Sequence, residues 1–270
     1  MLGRLLKHEF KQSSRTILMI LAILVIITPV TALYTRFNMN RVPNTDMPFF
    51  DIFEAFQVVA TILYVCAMIG AAAATIILLM YRFYKSMVTS EGYLTHTLPV
   101  KTSYIVASKL IVNIVWQLIS YTVIILSVIV FSRILGLWKF SDINFAGLIK
   151  GMHSIGINNS FIILTLICMF VSLITGVLKF FVSFAIGHRL NGHPFLGSII
   201  TYIVISIIMQ IISTIMGVLF SVFINSEIIM LETFSSMMNP LLIGSIIYQL
   251  ILGAIFYIVT IWIFKNKLNI

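Results

Sequence analysis

Of the 270 residues, 60% are hydrophobic and only 9% are charged, and the mean hydropathy is +1.11. That leaves too little polar surface to coat a soluble domain. A net charge of +9 would suggest nucleic acid in a soluble protein. In a chain this apolar, the distribution of charge is the informative quantity, and no nucleic-acid partner is expected.

The first element is "MLGRLLKHEFKQSSR". Leu2, Leu5, Leu6 and Phe10 follow helical spacing, and Arg4, Lys7, His8, Lys11 and Arg15 take the other faces. The pattern predicts a basic amphipathic helix over residues 1–16, lying on the cytoplasmic leaflet. Anionic lipid would hold it there. Arg4, Lys7, Phe10 and Lys11 are the residues placed to touch a cytoplasmic partner as well. A competing reading is a cleaved leader ending at Val30-Thr31-Ala32. The basic region is long for a leader, and the apolar run that follows suits a span.

Residues 17–270 read as one transmembrane domain. Six apolar runs, uncharged apart from Lys109 near the start of the third, are long enough to cross the hydrocarbon core as helices: Ile17–Leu33, Ala55–Met80, Ile105–Phe131, Asn158–Leu178, Phe195–Phe223 and Pro240–Phe264. No short alternating strands are visible, so the fold class is all-α and polytopic, not a β-barrel. Pro29 should kink or end the first span. Asn239-Pro240 reads as a cap and first turn of the sixth. In the second span, Gly70 and Ala74 have the small-xxx-small spacing. This leaves open a packing seam within one subunit or an interface between two. Cys66 and Cys168 lie in apolar runs without metal or redox spacing and read as packing residues.

The spans divide the charges. The N-terminus, the Tyr81–Tyr104 and Lys179–Pro194 loops and the C-terminus, together with Lys109 at the start of the third span, hold twelve Lys and Arg against Glu9 and Glu91, a net of +10. The opposite side holds Arg36, Arg41, Arg133, Lys139 and Lys150 against Asp46, Asp51, Glu54, Asp142, Glu227 and Glu232, a net of −1. Basic residues are retained on the cytoplasmic face, so both termini are expected to be cytoplasmic, in a multi-pass protein of the cell membrane.

Catalytic patterns are missing. No G-x-x-x-x-G-K-[ST] occurs to cradle ATP phosphates. "HEFKQ" begins like a zinc-protease H-E-x-x-H, but Gln12 stands where the second ligand would be. No G-x-S-x-G elbow is present. His188 and His193 read as solvated residues of a cytoplasmic turn. No charge falls at mid-membrane; Lys179 comes nearest and reads as a snorkelling residue at the cytoplasmic end. An enzyme, a metal and a cofactor are therefore not expected, nor is ion-coupled transport, and any energy enters from outside the chain.

The loop after the second span is too long for a plain turn and carries Met87, Val88, Tyr93, Leu94, Leu98 and Val100. A short helix ended by Pro99 could bury them in the groove of a partner or lie on lipid. Here a family resemblance enters. "MLGRLLKHEFKQSSRT" and "SEGYLTHTLPVKTSYIVASKLI" resemble the membrane subunits of type-2 ATP-binding-cassette (ABC) exporters, the small six-span permeases of Gram-positive bacteria. The resemblance covers residues 1–16 and 90–111; elsewhere it rests on the number of spans. It implies that a coupling helix made of Glu91, Gly92, Tyr93, Leu94, Thr95, His96, Thr97, Leu98 and Pro99 enters a cleft in a separate ABC ATPase. It also implies two ATPase copies, a second permease (homomeric or heteromeric) and short external helices before the last span, where residues 227–238 lie.

The resulting expectation is an exporter permease for an amphipathic or hydrophobic cargo such as an antimicrobial peptide, a drug or a lipid-like molecule. The alternative is a non-transporting assembly or sensor subunit that binds a partner through the same loop. The external acids could attract a cationic peptide, but simple charge segregation accounts for them.

The charge split generates a topology test. In a background lacking Cys66 and Cys168, an impermeant thiol reagent added to intact cells should label Asn44→Cys and Glu232→Cys but not Lys101→Cys. The reverse pattern would invert the topology.

Overall fold

A peptide N–H or C=O left unpaired in hydrocarbon costs several kcal/mol, so apolar runs of this length must close their hydrogen bonds within helices. The computed structural model describes residues 2–39, 52–89, 101–137, 145–188, 194–223 and 234–266, and every regular element among them is helical. In chain order these are α1 (Leu2–Met39), α2 (Ile52–Val88), α3 (Thr102–Ile134), α4 (Phe145–Ser154), α5 (Asn159–Gly187), α6 (Pro194–Phe223) and α7 (Phe234–Asn266). All but α4 are long and apolar enough to cross a membrane, and they overlay the six expected spans. The protein is thus an all-helical, multi-pass membrane protein. The short helix α4 was not expected from the sequence.

The boundaries correct three expectations. Residues 2–16 and the first span form one helix of 38 residues, because no glycine or proline interrupts the chain between Gly3 and Pro29. At about 1.5 Å per residue it is about 57 Å long, nearly twice the hydrocarbon thickness. Pro29 does not end it: the helix runs ten residues further, and the Thr28 and Thr31 hydroxyls on either side bond to the Leu24 and Ile27 carbonyls at 2.7 and 2.9 Å. Nor does α7 start at Pro240. Six helical residues precede it, and Asn239 donates its amide to Ser160 Oγ at 3.1 Å instead of capping the helix.

Contacts divide the chain into two units. The first comprises residues 3–81 and 111–143. Its three helices alternate in direction. Ile17 and Leu21 of α1 pack with Leu79 of α2 and with Val112 and Trp116 of α3, and Leu24, Tyr64 and Ala71 form the next layer. Phe10 stacks on Trp116 at 4.6 Å, and Tyr64 on Phe131 at 4.5 Å. Hydroxyls join α2 to α3: Tyr64 Oη lies 3.1 Å from Ser127 Oγ, and Ser120 donates to Thr75 at 3.2 Å. At the far end Arg36 donates to the Ile134 carbonyl at 3.0 Å, satisfying one of the carbonyls a helix C-terminus leaves open. Of the two readings of the small-residue stretch of α2, packing within the chain uses Ala71 and Thr75 and does not use Gly70. Ala71 and Thr75 point inward, whereas Gly70 is exposed and a side chain there would touch nothing. Cys66 also faces outward, not into a packed core as expected.

The second unit comprises residues 82–110 and 144–270. Gly156, in the left-handed region at φ 83°, turns the chain between α4 and α5, and its carbonyl accepts the Ser235 N–H at the start of α7. From there α5 and α7 run parallel. Ser160 meets Asn239, Cys168 lies 3.4 Å from Ser245, and the Thr175 hydroxyl lies 3.2 Å from the Gln249 carbonyl. Helix α6 runs against them, with Phe180 stacked on Tyr202 at 4.4 Å and Tyr248 reaching the Met209 carbonyl. At the Gly187 end, a methyl group on that residue would fall on the backbone of Gly197 and Ser198. Helices α5 and α6 therefore touch backbone to backbone, which only a missing side chain permits.

This close approach gives a graded prediction. Gly187→Ala should lower stability by about 1–3 kcal/mol through overpacking, read as a drop in the unfolding temperature of the purified protein in detergent. Gly70→Ala, into open space, should leave that temperature unchanged. Equal effects would contradict the contact.

Candidate functional site

The nine residues expected to couple to a partner, Glu91 to Pro99, lie outside the described residues. The chain on either side of them is described, and it is firmly held. Helix α2 runs to Val88 because no breaker precedes it, with the Ser86 and Thr89 hydroxyls turned back to the Phe83 and Lys85 carbonyls at 3.2 and 2.5 Å. Lys85 in the last turn suits the negative end of the helix dipole. Helix α3 resumes at Thr102, with the Tyr104 N–H bonded to the Lys101 carbonyl at 2.9 Å.

Both ends sink into an aromatic base within the second unit. Phe83 stacks on Phe181 at 3.6 Å and meets Phe184 and the edge of Phe264 at about 6 Å. Tyr84 packs on Phe184 at 5.5 Å and on Phe195 at 5.7 Å. Tyr257 donates to the Ser103 carbonyl at 3.3 Å. The base therefore gathers the end of α2, the start of α3, the end of α5, the start of α6 and the end of α7. Met87 and Val88, expected to seek a partner's groove, are already buried within the chain. So is Lys109, which the sequence placed among the basic surface charges.

His188 closes α5 at this base, its N–H bonded to the Phe184 carbonyl at 3.1 Å. It is not the solvated residue expected: its Nδ1 is buried with no hydrogen-bond partner among the described residues. His193 lies outside them.

Of the four residues singled out in the N-terminal stretch, Arg4 is exposed and the other three share a groove. Leu6, Lys7, Phe10 and Lys11 of α1 face Ile111, Val112 and Val115 of α3 across a cavity of about 440 Å³. The groove is apolar, and Lys7 and Lys11, one helical turn apart, stand at its rim. Phe10 and Leu6 thus spend part of their apolar surface on α3 of the same chain.

A second cavity, of about 380 Å³, lies among α5, α6 and α7. Its lining is polar for its setting: Ser172, Thr175 and Lys179 from α5, Ser206, Gln210 and Ser213 from α6, and Ser245, Tyr248 and Gln249 from α7. The sequence reading did not assemble it, although the signal was present. Ser172/Thr175/Lys179 and Ser206/Gln210/Ser213 fall at i, i+3 or i+4, and i+7, each on one helical face.

No family model, no curated protein and no solved structure matches this chain.

Burial holds the His188 imidazole below its ordinary value of 6.5. As pH falls through 6.5, the unfolded chain takes up a proton that the folded chain resists, so the stability present at pH 7 declines toward the lowered value. NMR titration of the imidazole, assigned by loss of the signal in His188→Gln, should give a midpoint below 6.5. A midpoint at or above that value would contradict the burial of the ring.

Proposed function

We propose that this chain is the permease half of an ATP-driven exporter and that the segment between α2 and α3 couples it to a separate ATPase. The single observation that carries the reading is the aromatic base. A polar segment whose two anchors are buried among the ends of α5, α6 and α7 transmits a displacement to those helices; a segment hanging from two frayed ends would absorb it. The six membrane-spanning helices and the absence of a Walker-type loop from the sequence are consistent with a subunit that moves while another hydrolyses ATP.

In this reading Tyr93 and Leu94 supply the buried contact with the ATPase, about 1.5–3 kcal/mol each when fully covered. Glu91 meets a basic group or a helix N-terminus there. Two permeases and two ATPases form the working complex, with both termini on the cytoplasmic side. The cargo is amphipathic or hydrophobic.

The test is affinity purification of the tagged chain from its native membrane. The expected outcome is co-purification of an ATPase, two membrane chains per complex by native mass spectrometry, and ATP hydrolysis stimulated by cargo. Glu91→Lys and Leu94→Asp should leave the chain inserted but release the ATPase or abolish the stimulation. If both variants retain the ATPase and stimulated hydrolysis at wild-type levels, the segment is only a connector. If an ATPase co-purifies but no cargo stimulates it, the chain is an assembly or sensor subunit instead.

A further inference from the structure

The cavity among α5, α6 and α7 contains a charge that no described residue of the second unit balances. Lys179 lies eight residues before the end of α5, about 12 Å along the axis. It is half-buried, and its ammonium sits over the Tyr202 ring at 4.4 Å. A cation–π contact offsets part of the cost of removing an ammonium from water but supplies no counter-charge. None of α5, α6 and α7 contains an Asp or Glu, and no carboxylate occurs among the described residues of this unit. A lysine held within a membrane span is costly, and such residues pair or mark a ligand site.

The other groups lining the cavity extend the argument. Most hydroxyls of this unit are turned back to their own helix: Thr175 to Val171, Ser206 to Tyr202, and Ser213 to Gln210. Each still has lone pairs directed elsewhere. Gln249 is different. Its amide nitrogen reaches only the Cys168 sulfur at 3.7 Å, and its Oε1 is buried with no partner among the described residues. Among the described residues the cavity therefore offers one cation without a counter-charge and one unsatisfied acceptor, lined by hydroxyls and carboxamides. Ser172, Gln210 and Ser213 are exposed at its mouth. The surface around that mouth is apolar, with Met169, Ile207 and Met216 exposed beside it.

We propose that this cavity binds the anionic headgroup of a membrane amphiphile. The negative group pairs with Lys179, a hydrogen-bond donor on the same headgroup satisfies Gln249, and the acyl tail leaves through the mouth along the apolar face of α5 and α6. The site rests on the cavity alone and does not depend on the exporter reading.

The test uses the full-length chain without any ATPase, purified in a neutral maltoside detergent. Binding of radiolabelled 1-oleoyl-glycerol-3-phosphate is measured, a probe that combines a phosphate, a free hydroxyl and one acyl chain. Saturable binding is expected, weakened about tenfold or more in Lys179→Gln and largely kept in Lys179→Arg. Lys265→Gln makes the same charge change at an exposed position in the last turn of α7 and should bind as wild type. Gln249→Leu should weaken binding with the lysine intact. Unfolding temperatures of the variants establish that each is folded. Unlabelled glycerol 3-phosphate, which lacks the tail, and mono-oleoylglycerol, which lacks the phosphate, should both fail to compete. Wild-type binding by folded Lys179→Gln, or equal loss in Lys265→Gln, would overturn the site. Competition by glycerol 3-phosphate at concentrations equal to the probe would also overturn it, since the ligand would then be a soluble anion.

Discussion

Lipid tails are as apolar as leucine, so burying leucine between two helices gains little inside a bilayer, and shape must do what the hydrophobic effect does in water. This constraint is visible at every contact that orders the chain. Phe83 lies flat on Phe181, Phe10 on Trp116, and Tyr64 on Phe131, each pair gaining dispersion that loose aliphatic contact would not. Where α5 meets α6, Gly187 removes a side chain so that the backbones touch. The outward faces, by contrast, remain crowded with exposed Ile, Leu, Val and Met, which would be a liability in water and is appropriate against acyl chains.

The same solvent governs the polar residues. Ser and Thr within the spans mostly bond to carbonyls three or four residues earlier on their own helix, as Thr28, Thr75 and Thr260 do. A hydroxyl satisfied locally is compatible with lipid on any face. Groups that cannot turn back in this way gather where a neighbour helix helps. Tyr64 reaches across from α2 to the Ser127 hydroxyl of α3, and Gln249 and Lys179 meet the cavity among α5, α6 and α7. The distribution of polarity inside the membrane is therefore a distribution of unsolved hydrogen-bonding problems, and it marks where a ligand would be most useful.

The aromatic base links these features to the functional reading. It is built from rings at the ends of helices, close to where charged residues and water begin, so its members combine apolar bodies with nearby polar chain ends. The groove between α1 and α3 has a similar composition on a smaller scale, an apolar floor with Lys7 and Lys11 at its edge.

The sequence by itself determined the six spans, because an uncharged run of twenty residues has only one stable backbone in hydrocarbon. It determined the grouping of basic residues and the absence of a phosphate-binding loop for the same reason: both are properties of linear order. It did not determine helix ends. Pro29 read as a kink or an end and Pro240 as a start, yet both lie within helices, because the surroundings rather than the proline decide whether the lost hydrogen bond is tolerated. It did not show which face of a uniformly apolar helix is buried, so the Gly70/Ala74 spacing left open a seam within the chain or between two chains, and only the structure shows Ala71 and Thr75 turned inward. The base and the cavity belong wholly to the tertiary structure. Phe83, Phe181, Phe195 and Phe264 are far apart in the chain, and in spans this rich in phenylalanine no spacing distinguishes a ring that stacks on another from one that faces lipid. Lys179 read as a residue free to reach water; only the arrangement of α5, α6 and α7 sets its half-buried ammonium over Tyr202 in a cavity with no carboxylate among the described residues of its unit, because a cavity depends on three helices at once and periodicity describes one.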